Sequence, residues 1–208
     1  MPDPAYAAAV FDFGGVLTTP VWDSFAAFCR TEGLEPGAIK KLFEADPEAL
    51  EDLRKLEVGE MSENDFEAVF GKRLGLAHPA GLIDSMFAGM EPEPEMVEAV
   101  RQLRGSGLKA GLLSNSWSTD HYDRKLLAEL FDAVVLSADV GMHKPQPEIY
   151  RLAAERLGVA PEECLFVDDL KENCEGAEAV GMTAIWHRSP RETIARLSEL
   201  TGIALALA

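Results

Sequence analysis

Cysteine is scarce in this sequence and shows no pairing pattern: Cys29, Cys164 and Cys174 make no CxxC motif, and their number is odd. A disulfide-stapled scaffold is not expected, and a reducing compartment is. Positive charge is scarce too. Nineteen lysines and arginines stand against 36 aspartates and glutamates, giving a net charge of −17. Such a surface repels phosphate backbones and anionic lipid, so neither nucleic acid nor a membrane surface is an expected partner. No apolar run reaches the roughly 18 residues that cross a bilayer. Met1–Tyr6 has no basic stretch ahead of an apolar one, so no signal peptide is expected. Repeats and low-complexity tracts are absent, and no feature sets an oligomeric state. These absences leave the cytoplasm as the expected location.

What remains is an ordinary globular composition. With 208 residues, 47% of them hydrophobic and 26% charged, the chain can bury one substantial core and carry a smaller insertion. Short, nearly continuous apolar runs at Ala7–Phe13, Leu108–Ser114, Ala133–Leu136, Cys164–Val167 and Thr183–Trp186 read as strands covered on both faces. Helical periodicity separates them at Pro94–Arg104, Asp120–Leu130, Pro147–Leu157 and Asn173–Val180. Gly105, Gly107, Gly158 and Gly181 stand where helices should stop. The βαβ alternation predicts an α/β fold with a doubly wound, parallel, Rossmann-like core.

One long interval lacks strand character. Between Val16 and Met90, Val21, Phe25, Phe28 and Cys29 share a helical face, and Phe66, Val69, Phe70 and Leu74 make a second apolar stripe. Ser62 and Asp65 fit a capping box, with Met61 and Phe66 placed as a hydrophobic staple. This is more chain than one crossover requires. The expected organisation is a core of residues 1–15 and 91–208 with an inserted α-helical cap at 16–90. Glu91-Pro92-Glu93-Pro94 reads as the hinge.

In doubly wound sheets ligands bind outside the carboxyl ends of the strands, so the residues that end each run are the candidates. Asp12 follows the first run and precedes Gly14-Gly15; such an acid is either a reactive carboxylate or a turn cap. Ser114-Asn115-Ser116 ends the second run and can cradle a phosphate or cap a helix. Lys144, between His143 and Pro145, is biased away from helix by the proline ring. It can hold an oxyanion or neutralise paired carboxylates, or it is a loop lysine. His143 has no assigned role. Asp168-Asp169 ends the fourth run. Two adjacent carboxylates after a buried strand are costly unless a cation or a lysine compensates them, and Mg²⁺ prefers oxygen ligands; otherwise the pair are loop acids that cap the next helix.

The order Asp12, Ser114-Asn115, Lys144, Asp168-Asp169 resembles the four motifs of a haloacid dehalogenase superfamily hydrolase, and the likeness covers nearly the whole chain. Phe11-Asp12-Phe13-Gly14-Gly15-Val16-Leu17, Gly59-Glu60-Met61-Ser62 and His143-Lys144-Pro145-Gln146-Pro147 are most similar to two groups within it. These are the glucose-1-phosphatase-like bacterial enzymes and the phosphatase domain of soluble epoxide hydrolases. The resemblance implies a magnesium-dependent phosphohydrolase acting on a small phosphorylated metabolite. Asp12 would be the nucleophile and form an aspartyl phosphate. Lys144 would bridge Asp12 and the phosphoryl group, and Ser114 and Asn115 would donate hydrogen bonds to it. Mg²⁺ would be held by Asp12, the Gly14 carbonyl and Asp169, with Asp168 a ligand or the support of one.

One residue of that pattern is lacking. Phosphatases of the superfamily usually carry a second Asp two residues after the nucleophile as general acid–base, and Gly14 stands there. General acid catalysis is worth about 10²–10⁴-fold, so the expected substrates have relatively acidic leaving groups. Two other readings use the same residues: a metal-independent 2-haloacid-dehalogenase-like hydrolase, and a non-catalytic protein that keeps the fold. Trp22, Phe25 and Phe87 of the cap are expected to pack in its core, while Trp117 and His121 could face the site or the surface.

Overall fold

A computed structural model describes residues 6–118 and 122–206. Five strands, β1 (Ala8–Phe11), β2 (Lys109–Ser114), β3 (Ala133–Leu136), β4 (Cys164–Asp168) and β5 (Thr183–Trp186), pair in parallel in the order β3-β2-β1-β4-β5. Side chains alternate across the sheet. Ala9 and Phe11 enter one buried cluster with Leu112, Leu165 and Val167, while Ala8 and Val10 enter another with Leu113, Cys164 and Phe166. Both faces are covered, which is why these strands read as unbroken apolar runs. The order reverses at β1: the chain moves outward through β2 and β3, then crosses back to β4 and β5. The crevice beyond the carboxyl ends of β1 and β4 is thus the topological switch point.

The helical interval between β1 and β2 is present. It holds α1 (Val21–Thr31), α2 (Ala38–Ala45), α3 (Pro47–Glu57), α4 (Glu63–Arg73) and α5 (Leu82–Phe87). Their apolar faces form a third cluster, including Phe25, Phe43, Phe66, Phe70 and Met86. Phe43 and Phe66 stack on Phe70 with centroids at 5.1 and 4.9 Å. Ser62 caps α4 through the N–H of Asp65, but its hydroxyl donates to the Asp65 carboxylate, so the reciprocal half of the capping box is not made. Val69 departs from the expected stripe and is exposed. The two segments leading into and out of these helices lie side by side: Thr19 N–H donates to the Glu91 carbonyl and Glu93 N–H to that of Leu17.

Glu67 had no sequence signal. It is buried on α4, and its carboxylate accepts from the N–H groups of Gly81 (2.8 Å) and Ile83 (3.0 Å), closing the start of α5. Glu67→Ala would strand both donors in a buried setting. We expect a loss of about 1–3 kcal/mol, measurable as a lower urea midpoint with an unchanged m-value.

The remaining helices are α6 (Pro94–Gly105), α7 (Arg124–Leu130), α8 (Ser137–Val140), α9 (Pro147–Leu157), α10 (Lys171–Glu178) and α11 (Pro190–Thr201). The helix expected from Asp120 starts at Arg124, because the Asp123 carboxylate accepts from the N–H groups of Lys125 and Leu126 and caps it there. The strand expected to reach Phe13 ends at Phe11, because the chain turns over Phe13–Leu17, where Leu17 N–H donates to the Phe13 carbonyl. Among the described residues no helix is long and apolar enough to cross a membrane. All three cysteines are free and buried.

Candidate active site

The carboxyl ends of β1, β2 and β4 bring the expected residues together. Asp12 follows β1, and its N–H donates to the Val167 carbonyl at 2.9 Å, fixing it beside the end of β4. Lys144 is buried, and its Nζ lies 2.8 Å from Asp12 Oδ1 and 2.7 Å from Asp168 Oδ2. The lysine backbone is clamped by Asn115, whose Oδ1 accepts from Lys144 N–H (2.8 Å) while its Nδ2 donates to the Lys144 carbonyl (3.1 Å). His143 Nδ1 lies 2.7 Å from the same carbonyl. Ser114 is buried with its hydroxyl 3.0 Å from that of Tyr122. Ser116 turns away: its N–H donates to the Ser137 hydroxyl at 2.8 Å, tying the loop after β2 to α8.

The two adjacent aspartates divide by strand alternation. Asp168 is fully buried, and its second oxygen accepts from Leu170 N–H (2.9 Å) and Asn173 Nδ2 (3.0 Å). Both of its oxygens are thereby engaged. Asp169 instead borders the cavity above the sheet. A Cβ at Gly15, where φ is +75°, would come within 2.5 Å of Asp169 Oδ2. That position tolerates only glycine, and the β1 loop lies directly against the carboxylate.

Three carboxylates have donor oxygens within 4.8 Å of one another, and two of them, Asp12 and Asp168, share the Lys144 ammonium. Burial, followed by the charges of Asp168 and Asp169, pushes the Asp12 carboxyl up to about 7 against the pull of Lys144. Burial, then Asp168, pushes Asp169 up to about 6. Burial alone would pull the Lys144 ammonium down, but Asp12 and Asp168 outweigh it and hold the lysine above its ordinary value. Three carboxylates against one ammonium thus leave a set of hard oxygen donors short of positive charge, and their ionised forms need a further cation. That is the arrangement a divalent cation such as Mg²⁺ fits.

Above the cluster lies a cavity of about 1070 Å³ between the sheet edge and α1, α2, α3 and α5. Phe25, Phe87 and Trp117 line it in mutual edge and tilted contacts, with centroids at 5.2–5.4 Å. Trp22 also lines it and is 45% exposed, a departure from the core packing expected of it. Gly14 is approached from the helical side. A Cβ at Gly14 would meet Val21 Cγ2 at 2.8 Å.

The sequence model for haloacid dehalogenase-like hydrolases matches residues 6–181. The chain belongs to that family. As a haloacid dehalogenase-like hydrolase it is 30% identical over 206 residues to a sesquiterpene phosphatase of Aspergillus oryzae, covering 95% of this chain and 97% of the fungal one. It is also 30% identical over 213 residues to acyl-CoA dehydrogenase family member 10 of Mus musculus, covering 98% of this chain. There the chain spans only 20% of the mouse protein's length. The fold matches a haloacid dehalogenase family enzyme from Bacteroides thetaiotaomicron solved as a magnesium complex. The TM-score is 0.70 at 20% identity, over 88% of this chain and 94% of that one.

Two groups of this hydrolase's site carried no motif. Tyr122, which meets Ser114, sits just after residues 119–121, and the expected candidate His121 lies outside the described residues. Glu57, the last residue of α3, lines the cavity with Trp117, whose indole works with the Lys144 charge against the effect of burial on the Glu57 carboxyl. Its only sequence signal was its place two residues ahead of the Gly59-Glu60-Met61-Ser62 segment.

Proposed function

We propose that this hydrolase is a Mg²⁺-dependent phosphohydrolase that cleaves a small phosphorylated metabolite through an aspartyl phosphate on Asp12. The observation that carries the reading is the cluster of Asp12, Lys144, Asp168 and Asp169, in which one ammonium stands against three carboxylates and touches two of them. A carboxylate can attack an anionic phosphoester only if the repulsion between them is cancelled. A metal-independent dehalogenase needs no such acid-rich site, so the charge surplus favours phosphate chemistry.

The residues take the following parts. Asp12 attacks phosphorus with the carboxylate oxygen not held by Lys144. Lys144 orients that carboxylate through Oδ1 and lends positive charge to the phosphoryl oxygens. The Ser114 hydroxyl and the second amide hydrogen of Asn115, whose first is bound to the Lys144 carbonyl, donate to the phosphoryl group. Asp12, Asp169 and the Gly14 carbonyl would hold Mg²⁺, while Asp168 positions Lys144 with oxygens already engaged. Bound there, the metal neutralises charge developing on the phosphoryl oxygens. The cytoplasm remains the proposed location, in keeping with three free, buried cysteines.

A screen of small phosphomonoesters with and without Mg²⁺ tests the proposal. Chelation with EDTA should abolish inorganic phosphate release, and added Mg²⁺ should restore it. Turnover unaffected by chelation would overturn the metal-dependent reading.

A further inference from the structure

Gly14 leaves the phosphohydrolase without the usual proton donor, and Val21 occupies the space in which that donor would stand. The helical side of the cavity presents a carboxylate in its place. Gly59, at φ +73°, lies so close to α8 that a Cβ there would be 2.9 Å from the Ala138 carbonyl oxygen. The end of α3 is thereby seated on the core, beside the Ser137 that holds Ser116. Glu57, two residues before Gly59, lines the same cavity as Asp12 and Lys144, beside Trp117, which is itself wedged among Phe25, Phe66 and Phe87.

We propose that Glu57 is the general acid–base of this hydrolase, supplying from the helical segment the proton that position 14 cannot. The inference rests on the phosphohydrolase reading of Asp12. In the first step an Asp12 oxygen bonds to phosphorus, the bond from phosphorus to the ester oxygen breaks, and the departing oxygen keeps the electron pair and takes the Glu57 proton. The alcohol leaves, with Asp12 phosphorylated and Glu57 ionised. In the second step a water oxygen attacks phosphorus while Glu57 recovers a proton from that water. Inorganic phosphate departs with the bond to Asp12 broken, and both carboxyls return to their starting states.

Burial pushes the Glu57 carboxyl up to about 7, against Lys144 and the Trp117 hydrogen bond, so its acid form persists near neutrality. Asp12, Tyr122, His143, Lys144 and Asp169 of the core line the same cavity, as do Lys40 and Glu44 of α2, Asp84 of α5 and Arg54, one turn back on α3. With Glu57 as donor, the restriction to acidic leaving groups inferred from Gly14 is lifted.

Glu57→Gln keeps a side chain of the same size beside Trp117 and removes the proton. With an alkyl phosphate we expect turnover to fall by about 10²–10⁴-fold. With 4-nitrophenyl phosphate, whose leaving group needs no proton, the variant should keep a stoichiometric burst of nitrophenol followed by slow turnover, because water attack has lost its base. In the wild type, alkyl phosphate turnover should decline above about pH 7, the value Glu57 carries, as the acid form is lost. Alkyl turnover within threefold of wild type would overturn the role of Glu57 and leave Asp12 untouched. Loss of the aryl burst in a variant that melts like wild type would make Glu57 a positioning residue and overturn it equally. Wild-type protein inert toward every phosphomonoester would remove the reading of the site and this inference together. Should Glu57→Gln not fold, Trp117→Phe takes its place: losing the indole donor should move the alkaline limb to higher pH, and an unmoved limb would overturn the assignment.

Discussion

Asp12→Asn is expected to lower phosphomonoester turnover by on the order of 10⁴-fold or more, since removing a covalent nucleophile costs more than removing any one of its supports. The substitution is nearly isosteric, and Lys144 keeps its 2.7 Å contact with Asp168. Folding should therefore survive. Removing one of three crowded carboxylates also relieves the repulsion that pushes Asp12 up to about 7, so the variant should melt no lower than wild type. Two measurements on one preparation check this: steady-state phosphate release, and trapping with beryllofluoride and Mg²⁺. The wild type should trap the phosphate mimic on Asp12 and the variant should not. Equal turnover by the variant would sink the aspartyl-phosphate mechanism, whereas lost turnover with a lowered melting temperature would point to structural damage instead.

Most of the core was legible in the sequence, for a physical reason. A strand covered on both faces is apolar throughout, as β1 is, and even the half-buried edge strands β3 at Ala133–Leu136 and β5 at Thr183–Trp186 form short apolar runs that could be bounded to the residue. A parallel sheet then places the residue after each strand at one edge. This is how Asp12, Ser114 and Asp168 could be grouped before any geometry was known. The division between Asp168 and Asp169 was less legible. Both are acids at a strand end, and only the hydrogen bonds from Leu170, Asn173 and Lys144 show that both oxygens of Asp168 are already engaged.

The helical segment was legible as a segment and not as a surface. Helical periodicity marks which residues face a neighbour, without saying whether that neighbour is a core or a cavity. Trp22 and Phe25 sit on one apolar helix, yet Phe25 is 3% exposed and Trp22 45%. Val69 shares a stripe with Phe66 and Phe70 but points outward. Glu57 and Glu67 look like solvent-facing acids on amphipathic helices. What distinguishes them is contact with distant chain: Trp117 for the first, the Gly81 and Ile83 N–H groups for the second. Contacts across 60 residues or 14 leave no local trace in composition or period.

Lys144→Met should produce the second large effect, on stability and catalysis together. The ammonium is 1% exposed and is shared between Asp12 and Asp168. Methionine fills a similar volume but leaves Asp168 Oδ2, on a side chain with no solvent exposure, without a donor. Removing one partner of a buried ion pair typically costs about 3–5 kcal/mol, because the other charge is stranded. For a chain of this size each kcal/mol moves the midpoint by roughly 2–4 °C, so calorimetry should record a fall on the order of 10 °C. Mg²⁺ should recover part of it, since a cation bound to the folded state stabilises by mass action. The double variant Lys144→Met with Asp168→Asn tests the cause. An amide carries no stranded charge, so the double variant should be more stable than Lys144→Met alone, a non-additivity of the kind contacting residues show. Additive losses would place the lysine's contribution in its aliphatic stem and Asn115-clamped backbone, and would leave the charge cluster without its proposed role in holding the site together.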